Sequence, residues 1–91
     1  MNTVITQHAE VRMQQRGVSP QVLDLLLLYG RRARAGKGAE IVYLDKTARK
    51  RLKGNPELKE ITRDSKQLKS YAVCKGAIVV TAGKLYRRIR R

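Results

Sequence analysis

Ser70-Tyr-Ala-Val-Cys-Lys-Gly76-Ala-Ile-Val-Val-Thr-Ala-Gly83-Lys-Leu-Tyr-Arg-Arg-Ile-Arg-Arg91 closes the chain, and its reading decides the fold. It predicts three short antiparallel strands, Tyr71–Lys75, Ala77–Ala82 and Lys84–Arg90. Gly76 and Gly83 stand at the two joints, where a tight turn asks for a residue that accepts positive φ. The middle run is apolar and rich in β-branched residues, which suits a strand with neighbours on both edges. The last run alternates. Leu85 and Ile89 point to one face; Lys84, Tyr86, Arg88 and Arg90 point to the other, because successive strand side chains face opposite ways. One face of such a sheet is buried, and the other presents cations with a tyrosine among them.

Working outward, the preceding residues read as helices and one hairpin. Thr6 is an N-cap candidate for a helix ending at Arg16, with Gly17 at the left-handed position after it and Val18 folding back on Met13. Ile5, Ala9 and Met13 form an apolar row at i, i+4 spacing, and His8, Arg12 and Arg16 form the neighbouring row. Ser19 and Pro20 open a second helix that Gly30 closes. Its apolar surface is too wide for one sheet face, so we expect it to lie between the sheet and the first helix, or else to meet a partner chain. Arg32–Ala35 and Glu40–Leu44 read as a hairpin through Gly36-Lys37-Gly38. Asp45 caps a third helix, with Ala48 and Leu52 inward and Lys46, Arg49, Lys50, Arg51 and Lys53 in water. After Gly54-Asn55-Pro56 a further helical piece to Asp64 turns Leu58 and Ile61 inward. The expected architecture is a single α+β domain over residues 1–91, its N-terminal helices packed on one face of an antiparallel sheet of four to five strands.

Ninety-one residues make one small domain that buries only about 60–65% of its unfolded surface. A formal charge of +14 exceeds what solubility needs and favours a polyanion, nucleic acid first. An anionic membrane surface ranks lower, since no basic amphipathic helix with a large aromatic face is legible and Leu25–Tyr29 is too short to span a bilayer. One cysteine, Cys74, forbids a disulfide framework and suits a reducing, cytoplasmic setting; inside a strand it reads as a small buried apolar group. With a single histidine as well, no structural metal site and no cofactor is expected.

His8-Ala9-x-x-Arg12-Met13-x-x-Arg16-Gly17-Val18-Ser19 resembles the opening signature of the bacterial domain-of-unknown-function family 4258. Tyr71-Ala-Val, Ile78-Val-Val-Thr81 and Arg87-Arg88-Ile89 are similar to that family's closing strands. The resemblance implies the barnase–colicin–RelE superfold of toxin ribonucleases: RelE-like, metal-independent enzymes that cut RNA by attack of a ribose 2′-hydroxyl. In one respect the chain departs from the family, whose members carry a histidine shortly after the threonine of the final hairpin. Lys84 stands there, leaving His8 as the only imidazole.

Metal-free RNA cleavage needs a proton acceptor for the 2′-hydroxyl, a proton donor for the leaving oxygen, and cations beside the phosphate. His8 is a candidate base, or else a helix-end residue bonded to backbone. Lys84, Tyr86 and Arg88 are the further catalytic candidates. Arg12 and Arg16 are phosphate candidates because guanidinium binds phosphate bidentately; the alternative is a solvated helix charge or pairing with Glu10 or Glu40. Thr81 and Arg90 join them as RNA contacts, and Lys50 and Arg51 as part of a general electrostatic surface. The expected function is an RNA-directed, toxin-like protein, an endoribonuclease in the first reading. The alternatives are a non-catalytic RNA- or ribosome-binding module and an interaction domain bound by an acidic antitoxin-like protein. We expect a monomer or weak homodimer.

Overall fold

A computed structural model describes residues 3–63 and 66–85. Along the chain run β1 (Val4–Ile5), α1 (Gln7–Arg16), α2 (Pro20–Tyr29), β2 (Arg31–Gly36), β3 (Ala39–Tyr43), α3 (Lys46–Lys53), α4 (Lys59–Thr62), β4 (Ser70–Lys75) and β5 (Ile78–Lys84). Short 3-10 turns at Pro56–Leu58 and Gln67–Lys69 precede α4 and β4. The fold is α+β, with a five-stranded sheet in the order β1-β5-β4-β3-β2. One pair, β1 with β5, is parallel; the other three are antiparallel. Thr6 gives the parallel pair its anchor, its N–H donating to the Val79 carbonyl before its side chain starts α1.

Local chemistry starts and stops the helices as the residues predict. The Thr6, Ser19 and Asp45 side chains accept from the backbone N–H three residues on. Gly17 is left-handed at φ 68°, and Val18 N–H donates back to Met13. Gly30 ends α2 for a steric reason: a Cβ there would overlap the Leu26 carbonyl oxygen and lie 2.7 Å from Val42 Cγ1.

The core is one cluster on one side of the sheet. Val42, Ala72 and Ala82 form a fully buried cross-strand row, and Ala9, Met13, Val22, Leu23 and Leu26 close over it. Each large aliphatic side chain so buried contributes roughly 1.5–3 kcal/mol. The helices lie side by side, α1 on β5 and α2 on β4 and β3, so α2 is not sandwiched between the sheet and α1. Its last turn remains in water instead, Leu28 at 73% exposure and Tyr29 at 54%.

The expected closing meander is corrected at its second joint. Gly76 does turn, at φ 58°, but Gly83 lies inside β5, paired with Tyr71. The third strand expected over Lys84–Arg90 lies outside the described residues beyond Leu85. A bulge opposite Val73 and Cys74 inserts Val80 as an extra residue of β5. It reverses the strand's alternation: Val79 and Ala82 both point into the core, and Thr81 and Gly83 point away from it.

Candidate functional site

The candidate site lies at the end of the sheet where β2 begins, β3 ends, β4 begins and β5 ends. There the face turned away from the core carries a cross-strand row: Arg31, Tyr43, Tyr71 and Gly83. Arg16, the last residue of α1, completes it. Its Nη1 donates to the Ala82 carbonyl and to the Tyr71 hydroxyl, both at 3.2 Å. The guanidinium therefore crosses the flank of β5 beyond the point where the two-residue β1 stops. Room for it exists because position 83 has no side chain. A Cβ on Gly83 would lie 2.7 Å from Arg16 Nη1, 3.1 Å from Arg16 Cδ and 3.0 Å from Tyr71 Cε1.

This clamp fixes a cation that remains only half-buried and makes no ion pair with a carboxylate among the described residues. The alternative pairing of Arg16 with a glutamate is not adopted, since Glu40 binds Arg32 at 3.2 Å. Because the Tyr71 oxygen accepts from Arg16, its own O–H is left to donate outward. Thr81 shares the outer face with Gly83 and Tyr71, one residue pair further along the strands. Lys84 ends β5 opposite the buried Ser70, at the same end of the sheet as Arg16 but on the core-side face. β5 runs on from Ala82 without a turn, so the expectation that Lys84 points away from the buried face is corrected.

The other helix candidates diverge from this point. Each i, i+4 step on an α-helix turns about 40° and rises about 6 Å. From Arg16 back to His8 the row therefore winds about 80° and retreats about 12 Å, two turns toward the Val79 end of β5. Exposure follows the winding: Arg16 and Arg12 are half-buried, and His8 is exposed. Neither His8 nor Arg12 makes a side-chain hydrogen bond or ion pair with another described residue. The structure thus brings Arg16 and Lys84 to one end of the α1–β5 pair and leaves His8 at the other. Tyr86, Arg88 and Arg90 lie outside the described residues.

Lys50 and Arg51 are exposed on α3, and neither takes part in the clamp. Arg49, expected in water, instead folds back to donate to the Leu44 carbonyl at 2.8 Å. Tyr71 is the contributor that the sequence reading missed. Its signal was a glycine twelve residues on inside an otherwise β-branched strand, where the missing side chain marks a close approach. Cys74 is buried, and burial pushes its thiol above the ordinary value, with a smaller lowering by Arg32 and a raising by Glu40. None of the described helices is long and apolar enough to cross a membrane. Compared with known proteins, the chain matches no protein-family model, no curated protein and no solved structure.

Proposed function

We propose that this is an RNA-directed, toxin-like protein that holds the phosphodiester backbone at the sheet end around Arg16, Tyr71 and Thr81, with Lys84 at the same strand end on the other face. The observation that carries this reading is the Arg16 clamp: a guanidinium fixed by two hydrogen bonds and without a counter-charge among the described residues, in a chain of formal charge +14. A cation already held in place loses less conformational freedom on meeting a phosphate than a free surface lysine does. Arg12, one turn back, extends the cationic track along α1 toward His8. Lys50 and Arg51 add attraction without sequence preference.

The same residues support cleavage by 2′-hydroxyl attack as the activity. Arg16 would face the phosphate that gains charge, and Tyr71 would give its hydroxyl proton to the leaving 5′-oxygen. The proton of the attacking 2′-hydroxyl would pass to solvent water, since no base stands beside them among the described residues. His8 joins such a site only through a substrate long enough to reach two turns along α1. The cell compartment consistent with a lone buried thiol is the cytoplasm, and an acidic antitoxin-like protein is the protein partner that this charge favours.

The test is incubation of the pure protein with single-stranded RNA in EDTA, beside Arg16→Ala and His8→Ala. Products that vanish when the scissile ribose lacks its 2′-hydroxyl establish the reaction. RNA that is bound in a salt-sensitive way and stays intact reduces the function to that of an RNA- or ribosome-binding module. No binding even at low salt refutes both.

A further inference from the structure

A second feature of the same sheet end is a cleft of about 390 Å³ lined by Tyr29, Asp45, Thr47, Ala48, Arg51, Leu52 and Asn55. Tyr29 ends α2 two residues before β2 begins, and Asp45 follows β3 by two residues. The cleft therefore opens beside the β2–β3 side of the end at which Arg16 clamps β5. Strands spaced about 4.8 Å apart put the two features roughly 10–15 Å from one another.

The lining has an order. Ala48 and Leu52, one turn apart on α3, belong to the hydrophobic core's margin and give an apolar floor. Thr47 and Arg51, one turn apart in the next row of α3, and Asn55, two residues past the helix end, add hydrogen-bond donors. Asn55 Oδ1 is already occupied by the Glu57 N–H, which leaves its amide N–H groups to the cleft. The Arg51 guanidinium makes no hydrogen bond or ion pair with a described residue. Tyr29 supplies an aromatic ring, 54% exposed although it sits beside a hydrophobic core. At the opposite end Asp45 is an acceptor, tied by Oδ1 to the Ala48 N–H at 2.8 Å and by Oδ2 to Arg31 at 3.8 Å. Acceptor and cation thus stand six residues apart, about 9 Å of helix rise, and α2 supplies the aromatic wall.

We propose that this cleft is a nucleotide subsite, taking one unstacked nucleotide of a single-stranded RNA whose backbone runs on to the Arg16 clamp. The inference rests on the RNA-directed reading above and adds where a base is held. The base stacks on Tyr29 over the Ala48–Leu52 floor, its edge N–H groups turn to Asp45, and its phosphate meets Arg51 and Asn55. The volume lies at the small end of the range for ligand sites, sized for one base with its sugar rather than for a duplex. The carboxylates of an acidic peptide also meet Arg51 and Asn55 but find like charge at Asp45, whereas a base edge offers it N–H donors.

The experiment is a binding cycle with a short single-stranded RNA and the same RNA carrying one abasic position, measured on wild type, Tyr29→Leu and Arg51→Gln. Thermal melting checks that the variants fold, as both side chains are exposed. Stacking on one aromatic side chain predicts a loss of between about five- and a hundred-fold for Tyr29→Leu. It also predicts that wild type loses a comparable factor on the abasic RNA while Tyr29→Leu loses no more. Arg51→Gln should lower the salt slope by about 0.7, one phosphate's share. Equal abasic penalties in wild type and Tyr29→Leu overturn the subsite while leaving RNA binding at the clamp intact. An acidic peptide that binds the protein, and loses its affinity on Tyr29→Leu while RNA does not, overturns it in favour of a protein partner. No binding of either RNA by wild type removes the RNA-directed reading and the subsite together.

Discussion

Replacing Gly83 by alanine tests whether the Arg16 clamp is built as described. Gly83 has no positive φ, so its backbone accepts an L side chain without strain. The obstacle is spatial: the new methyl lies 2.7 Å from Arg16 Nη1 and 3.1 Å from its Cδ. Tyr71 Cε1, at 3.0 Å, can give by a few tenths of an ångström through ring rotation, whereas the guanidinium has to leave. Its departure forfeits the bonds to the Ala82 carbonyl and the Tyr71 hydroxyl. A charged hydrogen bond is worth about 1.5–3 kcal/mol, and we take about 1.5 for the pair because Arg16 is half-exposed and water replaces part of the loss. Against this, alanine is better than glycine inside a strand by about 0.5–1 kcal/mol. Gly83→Ala should therefore destabilise by about 0.5–1 kcal/mol, lowering Tm by several degrees in a domain of this size. In an Arg16→Ala background the obstacle is gone, and the same substitution should stabilise by about 0.5–1 kcal/mol. Urea denaturation of the four proteins reads both numbers. An effect of the same sign and size in both backgrounds refutes the clamp and with it the proposed phosphate site.

Three further outcomes follow from single contacts. Gly30→Ala should cost at least about 1–3 kcal/mol in the same denaturation assay, because its Cβ meets the Leu26 carbonyl oxygen and the buried Val42 with no flexible chain end to yield. Ser19→Ala removes the acceptor for the Val22 N–H and should cost about 1 kcal/mol; a neutral result means that Pro20 alone starts α2. The third outcome concerns pH. Since burial raises the Cys74 thiol above 9.0, the unfolded chain ionises first as pH climbs past that value. The thiol's contribution is complete below that pH and is lost as pH rises toward the folded value. The urea midpoint should therefore decline less steeply above pH 9 in Cys74→Ala than in wild type. Parallel declines would show that the thiol is not held in its neutral form.

Local chemistry by itself determined where the first three helices start and where the first two end, because a cap is settled within four residues. Thr6, Ser19 and Asp45 accept their own backbone N–H groups whatever the rest of the chain does. Period-two alternation likewise marked β2 and β3, a continuous β-branched run marked β5, and the lone cysteine fell on the buried face. The parallel β1–β5 pair was not legible, since Val4 and Ile5 are too few to show a period and pair with residues 74 positions away. Tertiary structure alone decided the site. A single bulge at Val80 reverses the alternation of β5, so a glycine that reads as a turn becomes a gap opposite Tyr71. The 40° winding of an i, i+4 row then lets only one of three aligned basic residues, Arg16, reach that gap. Phase along a strand and azimuth around a helix accumulate from the whole packing of the domain. A list of residue types records the side chains but not the direction in which each one is finally aimed.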